Sequence, residues 1–524
     1  MSNKVNALAV ASHLSLLTRA LSIEPDDQRI LEQVVESAMD LLNSDGGTLY
    51  TYKDGMLHFN VLRNRSLGLR NETTDVPPIP LRDESGNLSD LVVVRTLVDQ
   101  CTIIVNDAYQ DQRFDFSGTR RFDTQLGYHS KSFLCVPLKD HEDQVIGVLQ
   151  LINALDSQGQ VIPFHAEHQS LLESLGAIAA TILTQRELIE AQKNLFESFI
   201  KLIAEAIDHK SPVTGRHCQK VPEIAMLLAK AVCLANEGEY AELNFNEQEL
   251  YELKIAAWLH DCGKITTPES IIEKSAKLEK VFDCMELIAS RAREYQQALL
   301  IKVLQDSPGD PEAMAACIAQ HQEIEADLSF LRQVNQGSEF VDQADIERIQ
   351  SLGQVQWQDT NGQVHKLLDE EQVRSLSISR GTLLPEEMQI MRDHIVVTNR
   401  MLHSLHYPRY LQNVPDIAGN HHEHLDGGGY PRGLNAEQMS VRDRIMCIAD
   451  IFEALTAPDR PYKQGMKLSQ ALNIIGRNVA AGKLDAELFT LFVRQGTYRE
   501  YAEQYMPAHQ IDEPDFDTLP GLLR

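Results

Sequence analysis

The run His421-His422-Glu423-His424-Leu425-Asp426-Gly427-Gly428-Gly429-Tyr430-Pro431 joins two adjacent imidazoles to a glycine-rich turn and an aromatic ring. Neutral imidazole is the commonest protein metal ligand. Neighbouring histidines followed by glycines can face an ion while the backbone bends away to admit a substrate. A second element, His260-Asp261-Cys262-Gly263-Lys264, adds a carboxylate and a cation. Together the two predict metal-assisted phosphodiester chemistry, set in a region, from about Phe199 to the C-terminus, whose pattern is almost entirely helical.

Working outward, Asn246 and Glu249 form a predicted capping pair for a helix whose Leu250, Leu253, Ala257 and Leu259 give it an apolar face. His260 and Asp261 arrive at its C-terminal end. Adjacent helical residues project about 100° apart, so the imidazole can serve one ion while the carboxylate spans two. Asp450 falls in a helix introduced by Ser440 and Asp443, with Ile445, Ile448, Phe452 and Leu455 on the core side; a carboxylate among them needs a partner, an ion or an arginine. His394 follows Leu384-Pro385-Glu386-Glu387, where Pro385 fits a first helical position. Taken singly, His394 and His217 both read equally as satisfied core histidines.

In chain order, His217, His260-Asp261 with Gly263-Lys264, His394, His421-His422-Glu423 with Asp426-Gly427 and Gly429-Tyr430-Pro431, Asp450, and Arg460-Pro461-Tyr462-Lys463 resemble the HD-GYP family. These are bacterial cyclic-di-GMP phosphodiesterases within the HD metal-dependent phosphohydrolases. The resemblance implies one metal among His217, His260, Asp261 and Asp450, a second among His394, His421 and His422, with Asp261 bridging, and iron or manganese as the ions. Nitrogen and oxygen ligands suit those metals without excluding zinc. Some family members hold a third metal through a glutamate four residues before the first histidine; Val213 stands there, so two ions per chain are expected. Two metals can activate water and clamp phosphate oxygens for in-line displacement, opening the ring to pGpG and, after a second cut, GMP.

Asp261 and Lys264 are the expected catalytic groups, Lys264 neutralising charge on the phosphorane or leaving oxygen; the bland alternative is a surface lysine after a helix-ending glycine. Lys264, Gly429, Tyr430, Arg460 and Lys463 are the expected substrate contacts. Asp459 lengthens by one residue the interval between Asp450 and Arg460. Arg460 alternatively pairs with Asp459 or Glu453, and Gly427 to Pro431 alternatively form only a tight turn. The Gly-Tyr-Pro segment also resembles a docking surface for diguanylate cyclase domains. His403, His406 and His424 have no place in the pattern. Two other readings stand beside the leading one: hydrolysis of 3′,3′-cyclic GMP-AMP, and a non-catalytic cyclic-dinucleotide receptor or cyclase scaffold.

Upstream, residues 1–183 mix helix and strand: a helix around Ile30 to Leu42, a strand from Gly47 to Tyr52, and a hairpin, Phe133 to Leu138 with Val145 to Ile152, around His141-Glu142-Asp143-Gln144. This stretch resembles a GAF domain, a small sensory α/β module. The Asn-Lys…Phe-xxx-Asp-Glu signature of cyclic-nucleotide-binding members is broken, since Ala154 follows Asn153 and Phe164 leads only to His165, Ala166, Glu167 and His168. No cyclic nucleotide is therefore inferred as its ligand. A helix leaving this domain, continued by a connecting segment at residues 184–203, carries Leu175, Ile182, Ile189, Phe196 and Ile203 at sevenfold spacing, with Ile178 and Phe199 alongside. That is a coiled-coil seam predicting a homodimer, unless these side chains pack into their own domains. Residues 204–524 form the predicted all-α HD-GYP domain, with a helical insertion at about 271–376 that packs on the catalytic bundle or a partner subunit.

Composition agrees with this plan. A chain of 524 residues exceeds what one core serves. Its 48 Lys plus Arg against 76 Asp plus Glu, a net charge of −28, argues against a nucleic-acid polymer as partner. The first 27 residues form a mildly amphipathic helical pattern, not a signal peptide, and no apolar run reaches the roughly 18 residues of a membrane span. A soluble, cytoplasmic protein is expected. The eight cysteines show no CxxC pairs and are expected to be reduced and mostly buried.

Overall fold

The computed structural model describes residues 27–70, 76–83, 86–210, 216–337, 340–359, 361–457 and 465–523. The predicted N-terminal helical pattern, Val213, Asp459, Arg460 and Lys463 lie outside them. The chain divides into two compact units, residues 1–195 and 196–524.

The first unit opens with α1 (Asp27–Leu41), β1 (Ser44–Lys53), β2 (Met56–Asn64), β3 (Leu69–Arg70) and β4 (Ile79–Pro80). It continues with α2 (Val92–Asp99), β5 (Ile103–Val105), α3 (Ser117–Leu126), β6 (Phe133–Lys139), β7 (Val145–Leu155) and β8 (Val161–Ile162), before the long α4 (Ala166–Lys210). The antiparallel sheet runs β3-β2-β1-β7-β6-β5, with Leu49 opposite Leu149 and Val136 opposite the same residue on the other side. The predicted hairpin is β6–β7. Alternation along the strands separates two cores. On one face α1 (Leu31, Val34, Val35) and the first turns of α4 (Leu172, Leu175, Ala179) cover Leu134, Leu149 and Leu151; on the other, α2 covers Phe133, Cys135 and Val148.

The seam predicted along α4 divides. Leu175 and Ile182 are buried in the first unit's core, whereas Ile189 and Ile203 are 54% and 44% exposed. A second line, Leu188, Leu195 and Leu202, is 58–59% exposed with the same sevenfold spacing.

In the second unit, α5 (His217–Cys233) and α6 (Glu247–Leu259) lead into a 3-10 turn (Cys262–Thr266) and the short α7 (Glu269–Ile272). The predicted capping box before α6 is present: Asn246 accepts from the Glu249 N–H at 3.0 Å, and Glu249 accepts from the Asn246 N–H at 2.9 Å. After the insertion come α12 (Pro385–His403), α13 (Val414–Gly419) and α14 (Val441–Thr456), followed by α15 (Leu468–Ala480), α16 (Ala486–Arg494) and α17 (Thr497–Tyr505). Pro385 opens α12 and the Ser440–Asp443 box opens α14, as their sequence predicts. One apolar core joins Ile200, Ala204 and Ile207 of α4 to α5, α6 and α13–α17.

The insertion comprises α8 (Met285–Asp306), α9 (Pro311–Asn335), α10 (Gln343–Leu352), β9 (Gln356–Gln358), β10 (Val364–Lys366) and α11 (Glu370–Leu376). The insertion is predominantly helical, as expected, and two features add to that reading. Its polar stretch around Trp357 holds β9 and β10, paired as an antiparallel ribbon. It also closes a core of its own, from Leu278 and Ile288 through Leu331 to Trp357 and Leu376. Lys274 ties its base to the start of α12 through Glu387, at 2.7 and 2.8 Å.

Candidate metal centre

Seven side chains distant in sequence converge at one place in the second unit. His217 begins α5, His260 and Asp261 end α6, His394 lies in α12, His421 and His422 follow α13, and Asp450 lies in α14. Asp261, 1% exposed, stands between two sets. Its Oδ2 faces His217 Nε2 at 3.3 Å and His260 Nε2 at 3.4 Å, and its Oδ1 faces His394 Nε2 at 3.2 Å and His421 Nε2 at 3.9 Å. Asp450 Oδ1 lies 3.1 Å from His217 Nε2, and its Oδ2 lies 3.8 Å from His422 Nδ1. Three groups of ligand atoms are each close enough to hold an ion: His394 with His421 and His422, His217 with His260 and Asp261, and His260 with His421 and Asp450.

The backbone fixes the direction of the imidazoles. Nδ1 of His260, His394 and His421 lies 2.7, 2.5 and 2.6 Å from the carbonyl oxygens of Ala257, Met391 and Ala418, each three residues earlier. A proton held there leaves Nε2 as a bare lone pair, the tautomer a metal-binding histidine requires. His394 Nε2, His421 Nε2 and Asp261 Oδ1 are all buried without a hydrogen-bond partner. Three acceptors facing one another in a dry pocket are unfavourable unless a cation lies among them. The residues therefore fit divalent metal.

Charge is distributed to the same end. Burial opposes ionisation of Asp261, but Lys264, whose Nζ is 2.5 Å from Oδ2, and His260 outweigh it and hold the carboxyl well below its usual range. Asp450 is held well below its usual range too, its burial outweighed by the imidazoles of His217 and His260 beside it. Burial, with neighbouring imidazoles, pushes His421 well below the usual value and His422 to about 4, which keeps both neutral.

The glycine-rich loop stands beside this pocket. A Cβ on Gly429 would fall 2.4 Å from Glu423 Cα, so glycine there permits backbone to press on backbone. Glu423 closes the loop by accepting from the N–H groups of Arg432 and Leu434 at 2.7 and 2.9 Å. The ring of Tyr430 lies 4.9 Å from that of His422, and Arg392 holds its guanidinium 5.2 Å from the Tyr430 centroid.

Residues 26–183 match the family model for the GAF domain, and residues 371–488 match that for the HD domain. The chain carries a GAF domain followed by an HD domain. The matched part of the HD domain holds His394, His421, His422 and Asp450; the folded chain brings His217, His260 and Asp261 to them from before the insertion. The chain is 26% identical over 297 residues to the 3′3′-cGAMP-specific phosphodiesterase 1 of Vibrio cholerae, covering 57% of this chain and 41% of that protein. It is 39% identical over 109 residues to the 3′3′-cGAMP-specific phosphodiesterase 3 of the same organism, covering 21% and 23%. It is 40% identical over 95 residues to a cyclic di-GMP phosphodiesterase of Thermotoga maritima, covering 18% and 25%. The chain thus spans less than half the length of these curated relatives.

Two residues of the HD domain, Glu453 and Arg392, escape a reading by motif. Glu453 sets its Oε2 2.5 Å from His217 Nδ1, behind the metal-facing nitrogen. Its signal was its place one helical turn after Asp450. Arg392 carried none beyond nearness to His394; Glu423 stood inside the motif, but its part in closing the loop was not legible there. All eight cysteines are free, and five are buried. Among the described residues no helix is long and apolar enough to cross a membrane.

Proposed function

We propose that the HD domain is a metal-dependent cyclic-dinucleotide phosphodiesterase that opens cyclic-di-GMP to pGpG and then cuts it to GMP. The observation that carries this reading is Asp261, whose two oxygens face two separate histidine sets. On this reading His217, His260, Asp261 and Asp450 would hold one iron or manganese ion, and His394, His421 and His422, beside the same Asp261, would hold a second. Bound ions supply Lewis acidity and water of lowered pKa at neutral pH.

The chain's own residues do the rest. Water forms a new P–O bond as the bond from phosphorus to the ribose 3′ oxygen breaks, and that oxygen leaves with a proton. Lys264, a partly buried cation beside Asp261, offsets charge gathering on the phosphorus oxygens. Tyr430 presents its ring to a base, while Arg460 and Lys463 bind phosphate, and Gly429 keeps the loop low enough to admit the nucleotide. Two relatives named for 3′3′-cGAMP favour a second reading in which that dinucleotide is the preferred substrate.

The GAF domain regulates turnover, and the exposed Leu188-Leu195-Leu202 line of α4 supports a homodimer through that helix. The Gly-Tyr-Pro loop is also the proposed seat for diguanylate cyclase domains, and a cytoplasmic nucleotide substrate fits a cytoplasmic enzyme. The test incubates iron- and manganese-loaded protein with a panel of cyclic dinucleotides and resolves the products by chromatography. Linear product that disappears in Asp261→Ala is expected. Turnover preserved in Asp261→Ala ends the enzymatic reading, and preserved signalling without turnover favours a receptor or scaffold.

A further inference from the structure

Lys210 is the last residue of α4, and its ammonium donates to the carbonyl oxygens of Lys264 (3.3 Å), Ile265 and Thr267 (2.7 Å). An ammonium has three protons, and all three have a partner here. The accepting carbonyls belong to the end of the 3-10 turn, where Lys264 also accepts from the Thr267 N–H at 3.1 Å and the last oxygens of a helix run out of internal donors. The opposite side of this turn is equally constrained. Gly263 donates its N–H to Thr398 Oγ1 at 2.9 Å, and a Cβ added to it would lie 2.0 Å from the His394 carbonyl oxygen.

The turn that presents Lys264 to Asp261 is thus held between α12 and the end of α4. Two residues earlier in α4, the buried Asp208 accepts from the Cys218 N–H at 3.4 Å, beside His217. The end of one 45-residue helix touches both segments that bring His217 and Asp261 to the pocket.

We infer that Lys210 is a positioning residue, which locks the 262–267 turn so that Lys264 and Asp261 keep their places and makes the end of α4 the point where displacement of that helix reaches the centre. The regulatory half rests on the phosphodiesterase reading; the positioning half does not. A three-point clamp of carbonyls responds to a shift of the helix end, because hydrogen bonds weaken steeply with misalignment, and small misplacement of a catalytic group is costly.

The test compares the full chain with Lys210→Met, which keeps the stem and removes the donors, and Lys210→Arg, which restores donors. In metal-free protein, hydrogen exchange of the 262–267 peptide is expected to accelerate in Lys210→Met and to return towards the parent rate in Lys210→Arg, with α14 and α15 peptides unchanged. In manganese-loaded protein, Lys210→Met is expected to lower kcat by about tenfold with KM nearly constant. One alanine inserted after Glu190 rotates the following helix by about 100°. It is expected to alter 262–267 exchange in the parent and to add nothing in Lys210→Met. Unchanged exchange in Lys210→Met, or acceleration spread equally over α14 and α15, overturns the positioning role. An inert alanine insertion in the parent overturns the coupling. Absence of turnover in the parent removes the phosphodiesterase reading while leaving the exchange result to decide Lys210.

Discussion

Glu453 holds His217 from behind: its Oε2 lies 2.5 Å from Nδ1 of an imidazole whose Nε2 faces Asp261 and Asp450. The carboxylate is buried, with Lys220 at 3.8 Å as a second partner. Removing its charge leaves the ring free to turn and lowers its basicity. Glu453→Gln is expected to weaken metal retention by about 10- to 100-fold, read by elemental analysis after dialysis against graded chelator. Parent-like retention would show that the contact does not set ligand geometry.

Gly263 admits no side chain without movement, since an added Cβ would also lie 2.6 Å from the Thr398 nitrogen. Gly263→Ala must therefore part the turn from α12 and shift His394 relative to Asp261. A loss of about 1–3 kcal/mol is expected, seen as a lowered melting temperature of the metal-free chain. An unchanged melting curve contradicts the close approach.

Arg392 rests on the Tyr430 ring, its guanidinium 5.2 Å from the centroid. In a chain of net charge −28 a guanidinium beside the pocket is suited to an anion. Arg392→Ala is expected to raise KM for a cyclic dinucleotide by about tenfold, an energy within the range of a charge-assisted hydrogen bond, without loss of metal. Steady-state kinetics with metal analysis on the same samples decides it; an unchanged KM counts against the contact.

Lys277 is 1% exposed, donates to the carbonyls of Leu376 and Ile378 at 3.1 and 2.6 Å, and is pulled by burial from 10.5 to about 8. The unfolded chain keeps this proton up to the ordinary lysine value, so between about pH 8 and 10.5 it binds more protons than the folded chain, and stability rises with pH across that window. Lys277→Met is expected to flatten the rise. Denaturant unfolding in a Trp258→Phe background, followed through Trp357 of the insertion core, measures it; identical pH slopes in the two proteins exclude the effect.

Much of this arrangement could be read from the chain because it is local. Capping pairs at Asn246 and Ser440 act over three residues, and the β6–β7 hairpin announces itself by two apolar runs around a polar turn. The convergence of His217, His260-Asp261, His394, His421-His422 and Asp450 was legible only through the order of the motifs, because no spacing encodes which helices meet. What stayed hidden is tertiary. Glu453 looks like any helical acid until His217 arrives from 236 residues away. Leu175 and Ile182 share the heptad of Ile189 and Ile203, and burial against a sheet that the heptad does not describe separates them. The ribbon in the insertion has strands of three residues, too short for alternation to register.

The lone pairs that converge on the pocket without hydrogen-bond partners, Asp261 Oδ1, His394 Nε2 and His421 Nε2, bear on the survival of the chain as well as its chemistry. An ion bound to them favours the native fold by mass action, adding about 1.4 kcal/mol for each tenfold excess over its dissociation constant. Were the site loaded, supply of the ion would become a determinant of how long each copy resists proteolysis, and starvation for it would thin the population of molecules before slowing any one of them.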